Sequence, residues 1–136
     1  MLNTLLNFDS RLFLFINLHN NPVLDWIFPS ITQLGNGWVL IPILCGIILI
    51  KTPRKALKKV FLWGIISMSV SGILNTQTKL HVGRERPAYY FENTQNTEGV
   101  AIHILGPKLK YNSFPSGHTN TVFAGATLLT FLYGGP

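Results

Sequence analysis

The sequence predicts an all-α protein: a helical transmembrane bundle of about three spanning helices, with an N-terminal helix lying at the membrane interface. Three observations carry that expectation. Charged residues make up only 12% of the 136-residue chain and hydrophobic ones 47%, whereas a soluble domain carries about 25% charged residues. Two stretches, Ile27 to Ile50 and Val60 to Thr78, hold no charged residue. A third apolar run, Thr119 to Tyr133, follows a long polar segment. The length suits a single domain.

Residues 1–25 read as the interfacial helix. Leu5, Phe8, Leu12 and Phe15 recur at helical spacing, interrupted by Asp9 and Arg11. Those two charges break the apolar core that a cleaved leader needs, so none is expected. Asn20, Asn21 and Pro22 signal a turn. Residues 27–50 are the first span, with the helix itself over about 32–50 after a polar lead-in; roughly 20 apolar residues cross a bilayer. Residues 51–59 form a short basic loop in which Lys51, Arg54, Lys55, Lys58 and Lys59 supply five of the eleven basic residues. No aromatic or glycine-rich basic stripe accompanies them, so nucleic acid is not an expected partner. Anionic membrane lipid is.

Residues 60–78 are the second span, where Gly64, Ser67, Ser69, Ser71 and Gly72 offer small surfaces for helix packing in lipid. Residues 79–118 form a long loop, of which 88–113 lie outside the bilayer, and 119–134 form the third span. The single cysteine, Cys45, excludes an internal disulfide and reads as a buried thiol. Three spans are an odd number and the sequence stops where the third would end, so it reads as a fragment or a truncated product. The oligomeric state is not readable.

Two constellations carry chemistry. The first runs from Lys79 to Pro87. Lys79 and Arg86 stand seven apart, close to two helical turns, so both are expected on one helix face. Pro87 is expected to end that helix at Arg86. A lysine point charge and an arginine fork suit a phosphate; an ordinary basic collar at the lipid boundary has the same composition. The second constellation is Pro115-Ser116-Gly117-His118. Ser116 can cap the following helix. Gly117 lets backbone approach a ligand, and the free N–H groups of a helix start attract anions. His118 can donate a proton at neutral pH. A capped helix start with an incidental histidine is the plainer alternative. If both constellations lie on one side of the membrane, cations and helix-start amides converge on one point, as phosphoryl transfer requires.

Lys79, six intervening residues, Arg86-Pro87, and then Pro115-Ser116-Gly117-His118 together resemble two signatures of the type-2 phosphatidic acid phosphatase family, in its membrane-embedded lipid phosphate phosphatase branch. The resemblance implies part of a six-helix phosphatase core. It implies phosphate binding by Lys79, Arg86, Ser116 and Gly117, and protonation of the leaving oxygen by His118. It also implies no metal or cofactor, a lipid phosphate or diphosphate as substrate partner, and a bacterial inner-membrane location with the site facing the periplasm. The family's third signature, a Ser-Arg pair with a nucleophilic His and an orienting Asp, has no counterpart. After His118 the sequence contains no Arg, His or Asp. The 136 residues alone are therefore expected to be inactive; the alternative is a non-catalytic module that binds anionic head groups.

Other residues read as structural. His81, two positions from Lys79, points elsewhere on a helix. Arg84 and Glu85 form a charged edge, and His19 and His103 are loop or interface residues. Tyr89, Tyr90 and Phe91 form an aromatic belt at the membrane interface. The positive-inside rule places 51–59 in the cytoplasm by charge density, since Lys79 and Arg86 are reserved for phosphate. Soluble relatives of the fold, the acid phosphatases and vanadate-dependent haloperoxidases, lack a need for three lipid-length apolar stretches.

Overall fold

The structure is a computed structural model that describes residues 2–93 and 102–134. Residues 94–101 of the expected loop, and the Leu5 side chain on the expected apolar face of the first helix, lie outside the described residues. Among the described residues every regular element is helical. The helices are α1 (Leu2–Leu18), α2 (Pro22–Thr32), α3 (Gly37–Lys51), α4 (Leu57–Val82), α5 (Pro87–Asn93) and α6 (Gly117–Tyr133), with short 3-10 turns at Gln33–Gly35 and Arg54–Ala56.

The turn expected around Asn20–Pro22 separates α1 from α2. Asn21 is extended, and its side-chain oxygen accepts from the Val23 N–H at 2.8 Å. Pro22 takes the first helical position, where a missing N–H costs nothing.

The continuous helix expected within 27–50 is broken. α2 and α3 meet at 57° across the 3-10 turn. Asn36 is extended, and its side-chain oxygen accepts from the Trp38 N–H at 3.1 Å, which starts a new helix. α3 by itself has 15 residues and is about 22 Å long, short of the roughly 30 Å hydrocarbon core of a bilayer. The basic connection is also shorter than expected. Lys51 ends α3, while Lys58 and Lys59 belong to the first turn of α4.

The stretch Arg54–Asn93, of which α4 is the body and α5 the end, is the one segment among the described residues long and apolar enough to cross a membrane. The bent pair α2 and α3 makes a second if it is one broken span.

α6 lies against both α3 and α4. Gly125 makes the first contact: a Cβ there would sit 3.1 Å from Leu44 and 3.3 Å from Leu40. Gly64 makes the second, with Leu128 3.5 Å from its missing Cβ. Small residues let helices approach closely where lipid gives no hydrophobic drive for association. The Ser71 hydroxyl donates to the Asn120 side-chain oxygen across the α4–α6 seam at 2.9 Å. At the far end, Thr52 and Tyr133 share a 2.6 Å hydroxyl hydrogen bond, and the Lys51 ammonium lies 5.9 Å from the Tyr133 ring centroid.

The apolar residues buried among those described are Leu44, Ile48, Phe91 and Leu128. Most other large apolar side chains face outward; Trp38 is 90% exposed and Phe131 86%. Such a surface is stable only against hydrocarbon or further protein. Because the shared core is thin, Gly125→Leu is expected to destabilise the α3–α6 pair by about 1–3 kcal/mol. Thermal unfolding in detergent reads this, and an unchanged midpoint would mean that the close approach carries no stability.

Candidate functional site

The expected shared helix face for Lys79 and Arg86 is not what the structure has. α4 ends at Val82 because Gly83 turns left-handed (φ 55°), its N–H donating to the Lys79 carbonyl at 2.9 Å. Gly favours that conformation and stops the helix there. Pro87 therefore opens α5 rather than closing α4. Lys79 remains helical, while Arg86 sits in the extended segment 83–86 between two helices.

A different device fixes the segment that carries Arg86. The segment 110–113 runs beside 84–86. The Arg86 N–H donates to the Lys110 carbonyl at 2.8 Å, and the Ser113 N–H to the Arg84 carbonyl at 3.0 Å. The Ser113 hydroxyl adds a 2.8 Å bond to the Glu85 carbonyl. Asn112 adopts a left-handed conformation (φ 61°) in this segment, which asparagine tolerates. Arg86 Nε donates to the Tyr111 carbonyl at 3.1 Å. That bond uses one edge of the guanidinium and leaves its terminal nitrogens for another acceptor. Ser113 stands three residues before Ser116, a chain reach of about 11 Å at most.

Ser116 caps α6 as expected. It is extended (ψ 129°), and its hydroxyl accepts from the Thr119 N–H at 3.3 Å. The Phe114–Pro115 peptide bond before it is cis. Lys79 reaches this helix start from α4: its ammonium lies 3.8 Å from where a Gly117 Cβ would be. A cation is thus set against the first amides of α6, and both attract an anion. His118 occupies the second helical position and is exposed. Its Nδ1 lies 3.1 Å from the Thr32 hydroxyl on α2.

The sequence reading missed several neighbours of the site. Thr32 and Gly35, which contact His118, lie in what the sequence predicts as the start of the first spanning helix; the signal for a break there is the clustered Gly35-Asn36-Gly37. His103, read as a loop residue, is a clasp. Its N–H donates to the Asn17 side chain at 2.9 Å, its carbonyl accepts from the Asn17 amide at 2.8 Å, and its Nε2 lies 2.9 Å from the Asp25 carboxylate. Arg84 pairs with Asp9 of α1, and Lys108 with Glu92 at 2.6 Å. Phe91 stacks on Phe13, with centroids 5.4 Å apart. α1 and α5 thereby frame the Arg86 segment. Tyr89 packs against Tyr111, and a hydrogen bond with the Tyr89 side chain is the largest cause raising the Tyr111 phenol above its ordinary pKa. His81 turns back on its own helix, its Nδ1 2.9 Å from the Gln77 carbonyl.

Two clefts open along the α4–α6 seam. One, of about 560 Å³, is bounded by Asn75, Thr78, Ser116 and Thr119. The next, of about 520 Å³, is bounded by Trp63, Ser67, Leu128 and Phe131. Asn120 and Phe123 line both.

Comparison with known proteins agrees with the motif resemblance. The chain is similar to probable lipid phosphate phosphatase 4 of Arabidopsis thaliana, 35% identical over 79 residues that make up 51% of this chain and 26% of that relative. It is 31% identical over 80 residues to lipid phosphate phosphatase 1 of the same plant, covering 52% of this chain and 24% of the relative. An undecaprenyl-diphosphatase of Sulfolobus acidocaldarius is 26% identical over 124 residues, 91% of this chain and 54% of the relative. The chain thus spans between about a quarter and about half the length of the curated relatives it matches. No solved structure matches it significantly. The family model described as the PAP2 superfamily matches residues 60–136, more than half the chain and the part that holds Lys79, Arg86, Ser116, Gly117 and His118. The chain belongs to the PAP2 superfamily.

Proposed function

We propose that this chain supplies the phosphate-binding and proton-donating part of an enzyme that hydrolyses a lipid phosphate or diphosphate at a membrane surface without a metal. The observation that carries the reading is the closure of the Lys79 ammonium on the start of α6, 3.8 Å from the Gly117 Cβ position. Lys79, Arg86, the Ser116 hydroxyl and the Gly117 amide hold the phosphoryl oxygens. His118 gives its proton to the leaving oxygen as the P–O bond breaks. The phosphorus is taken by a histidine contributed by sequence other than these 136 residues, and water then releases phosphate from it. Such a covalent intermediate divides one hard step into two.

The relatives, two lipid phosphate phosphatases and an undecaprenyl-diphosphatase by name, support a substrate carrying a lipid phosphate or an undecaprenyl diphosphate. The candidates are phosphatidate, phosphatidylglycerol phosphate, a polyprenyl diphosphate and a lipid A phosphate. An apolar cleft continuing from Ser116 along the α4–α6 seam supports a ligand with a hydrocarbon tail. The membrane arrangement in this reading has α1 at the interface and three crossings: the bent α2–α3 pair, α4 and α6. The site faces outward and the turn between α3 and α4 faces the cytoplasm. A cysteine introduced as Lys55→Cys should resist a membrane-impermeant label added outside intact cells, and labelling there would overturn this topology.

Phosphate release from a short-chain lipid phosphate tests the activity. The purified 136-residue chain should show no turnover above buffer, while a polypeptide that continues into a Ser-Arg, His and Asp segment should be active. Robust turnover by the 136 residues alone would overturn the assignment of the nucleophile. Head-group binding without turnover in the longer polypeptide, abolished by Arg86→Ala, would favour the non-catalytic reading.

A further inference from the structure

We propose that the elbow between α2 and α3 is the seat of His118, with Thr32 and Gly35 as positioning residues that commit its Nε2 proton to the leaving oxygen. The inference rests on the proton-donating role of His118 given above. Two independent contacts carry it. The Thr32 hydroxyl lies 3.1 Å from His118 Nδ1, and the two residues are 86 apart in sequence. Gly35 is buried against the backbone of His118: a Cβ on it would lie 2.7 Å from the His118 Cβ and 3.1 Å from both its Cα and its carbonyl oxygen. Real Cβ atoms do not approach that closely, so only glycine admits the histidine this near the elbow. The 57° bend is what presents both residues to the start of α6; a straight span would carry Thr32 and Gly35 past it.

The chemistry follows from the two ring nitrogens. In the imidazolium both carry protons, and the Nδ1–H donates to the Thr32 oxygen. The Nε2 proton is then the one free to move. When the P–O bond to the leaving alcohol breaks, that proton passes to the alcohol oxygen as the phosphorus bonds to the nucleophile. A neutral imidazole remains, still donating through Nδ1–H to Thr32. Without this partner the ring is free to rotate, and proton transfer loses the fixed geometry on which its rate depends.

Two measurements test this. Nitrogen NMR of the 136-residue chain, labelled at histidine and assigned with His118→Asn, should show a His118 Nδ1 resonance that moves in Thr32→Val and returns in Thr32→Ser. Valine matches threonine in shape and Thr32 is exposed, so the fold should survive. In the longer polypeptide, Thr32→Val should lower kcat for an alkyl phosphate by about tenfold with KM little changed. For an aryl phosphate, whose leaving group needs no proton, the change should be under about twofold, and Thr32→Ser should restore the alkyl rate. An unmoved Nδ1 resonance in Thr32→Val, or equal losses on both substrates, overturns the seat. Full alkyl-phosphate turnover in His118→Asn would instead overturn the proton donor, a result distinct from either.

Discussion

Replacing Arg86 with alanine is expected to lower kcat/KM for a lipid phosphate by about a hundredfold to a thousandfold in an active polypeptide, by loss of charge-assisted hydrogen bonds to the phosphoryl group. The frame around Arg86 makes this a clean test. Its N–H holds the Lys110 carbonyl, a backbone bond that any replacement except proline keeps, so the paired segments 84–86 and 110–113 should stay in place. Only the guanidinium is removed. Arg86→Lys should recover no more than about tenfold, because one ammonium cannot both bond the Tyr111 carbonyl and offer a planar fork. Full activity in Arg86→Lys would mean that charge alone matters. Full activity in Arg86→Ala would remove Arg86 from the site.

The second large effect is expected at His118. His118→Asn should lower turnover of alkyl phosphates by about a hundredfold to ten-thousandfold, the usual range for a positioned general acid. Aryl phosphates should be hydrolysed at nearly the parental rate, since their leaving groups depart without protonation. Asparagine keeps a polar partner for Thr32, so the elbow between α2 and α3 should remain seated. Parallel rates for both substrate classes are the contrary result; they would assign His118 to binding or to the helix start. Lys79 differs from both residues. It is a flexible point charge against Gly117, so Lys79→Ala should raise KM more than it lowers kcat, as a steady-state titration with lipid phosphate would read.

Particular residues mark how far the sequence reached. The Ser116 cap was legible because an N-cap acts over three residues and its chemistry is local. The turn at Asn21-Pro22 was legible for the same reason. Pro87 predicts a helix end at Arg86, yet glycine's left-handed freedom at Gly83 acts first along the chain and ends α4 four residues earlier, at Val82. The break in the first apolar stretch is not legible from charge: the absence of charged residues from Ile27 to Ile50 hides a Gly-Asn-Gly sequence whose bend is held by contact with α6. The family's two signatures named Lys79, Arg86, Ser116, Gly117 and His118, whereas Thr32 belongs to neither signature.

The helical class, the apolar character, the two signature motifs and the family were all legible in the order of residues alone. All of these depend on residue type and short spacing. Tertiary structure alone decided how the motifs meet. Arg86 is carried by hydrogen bonds to segment 110–113 rather than by a helix face, Lys79 closes on Gly117 from another helix, and His118 rests on Thr32 and Gly35 across 86 and 83 residues of chain. Contacts at that separation depend on where helices stop and bend, and a stop or bend of one turn moves a side chain by about 5 Å, farther than any hydrogen bond can span.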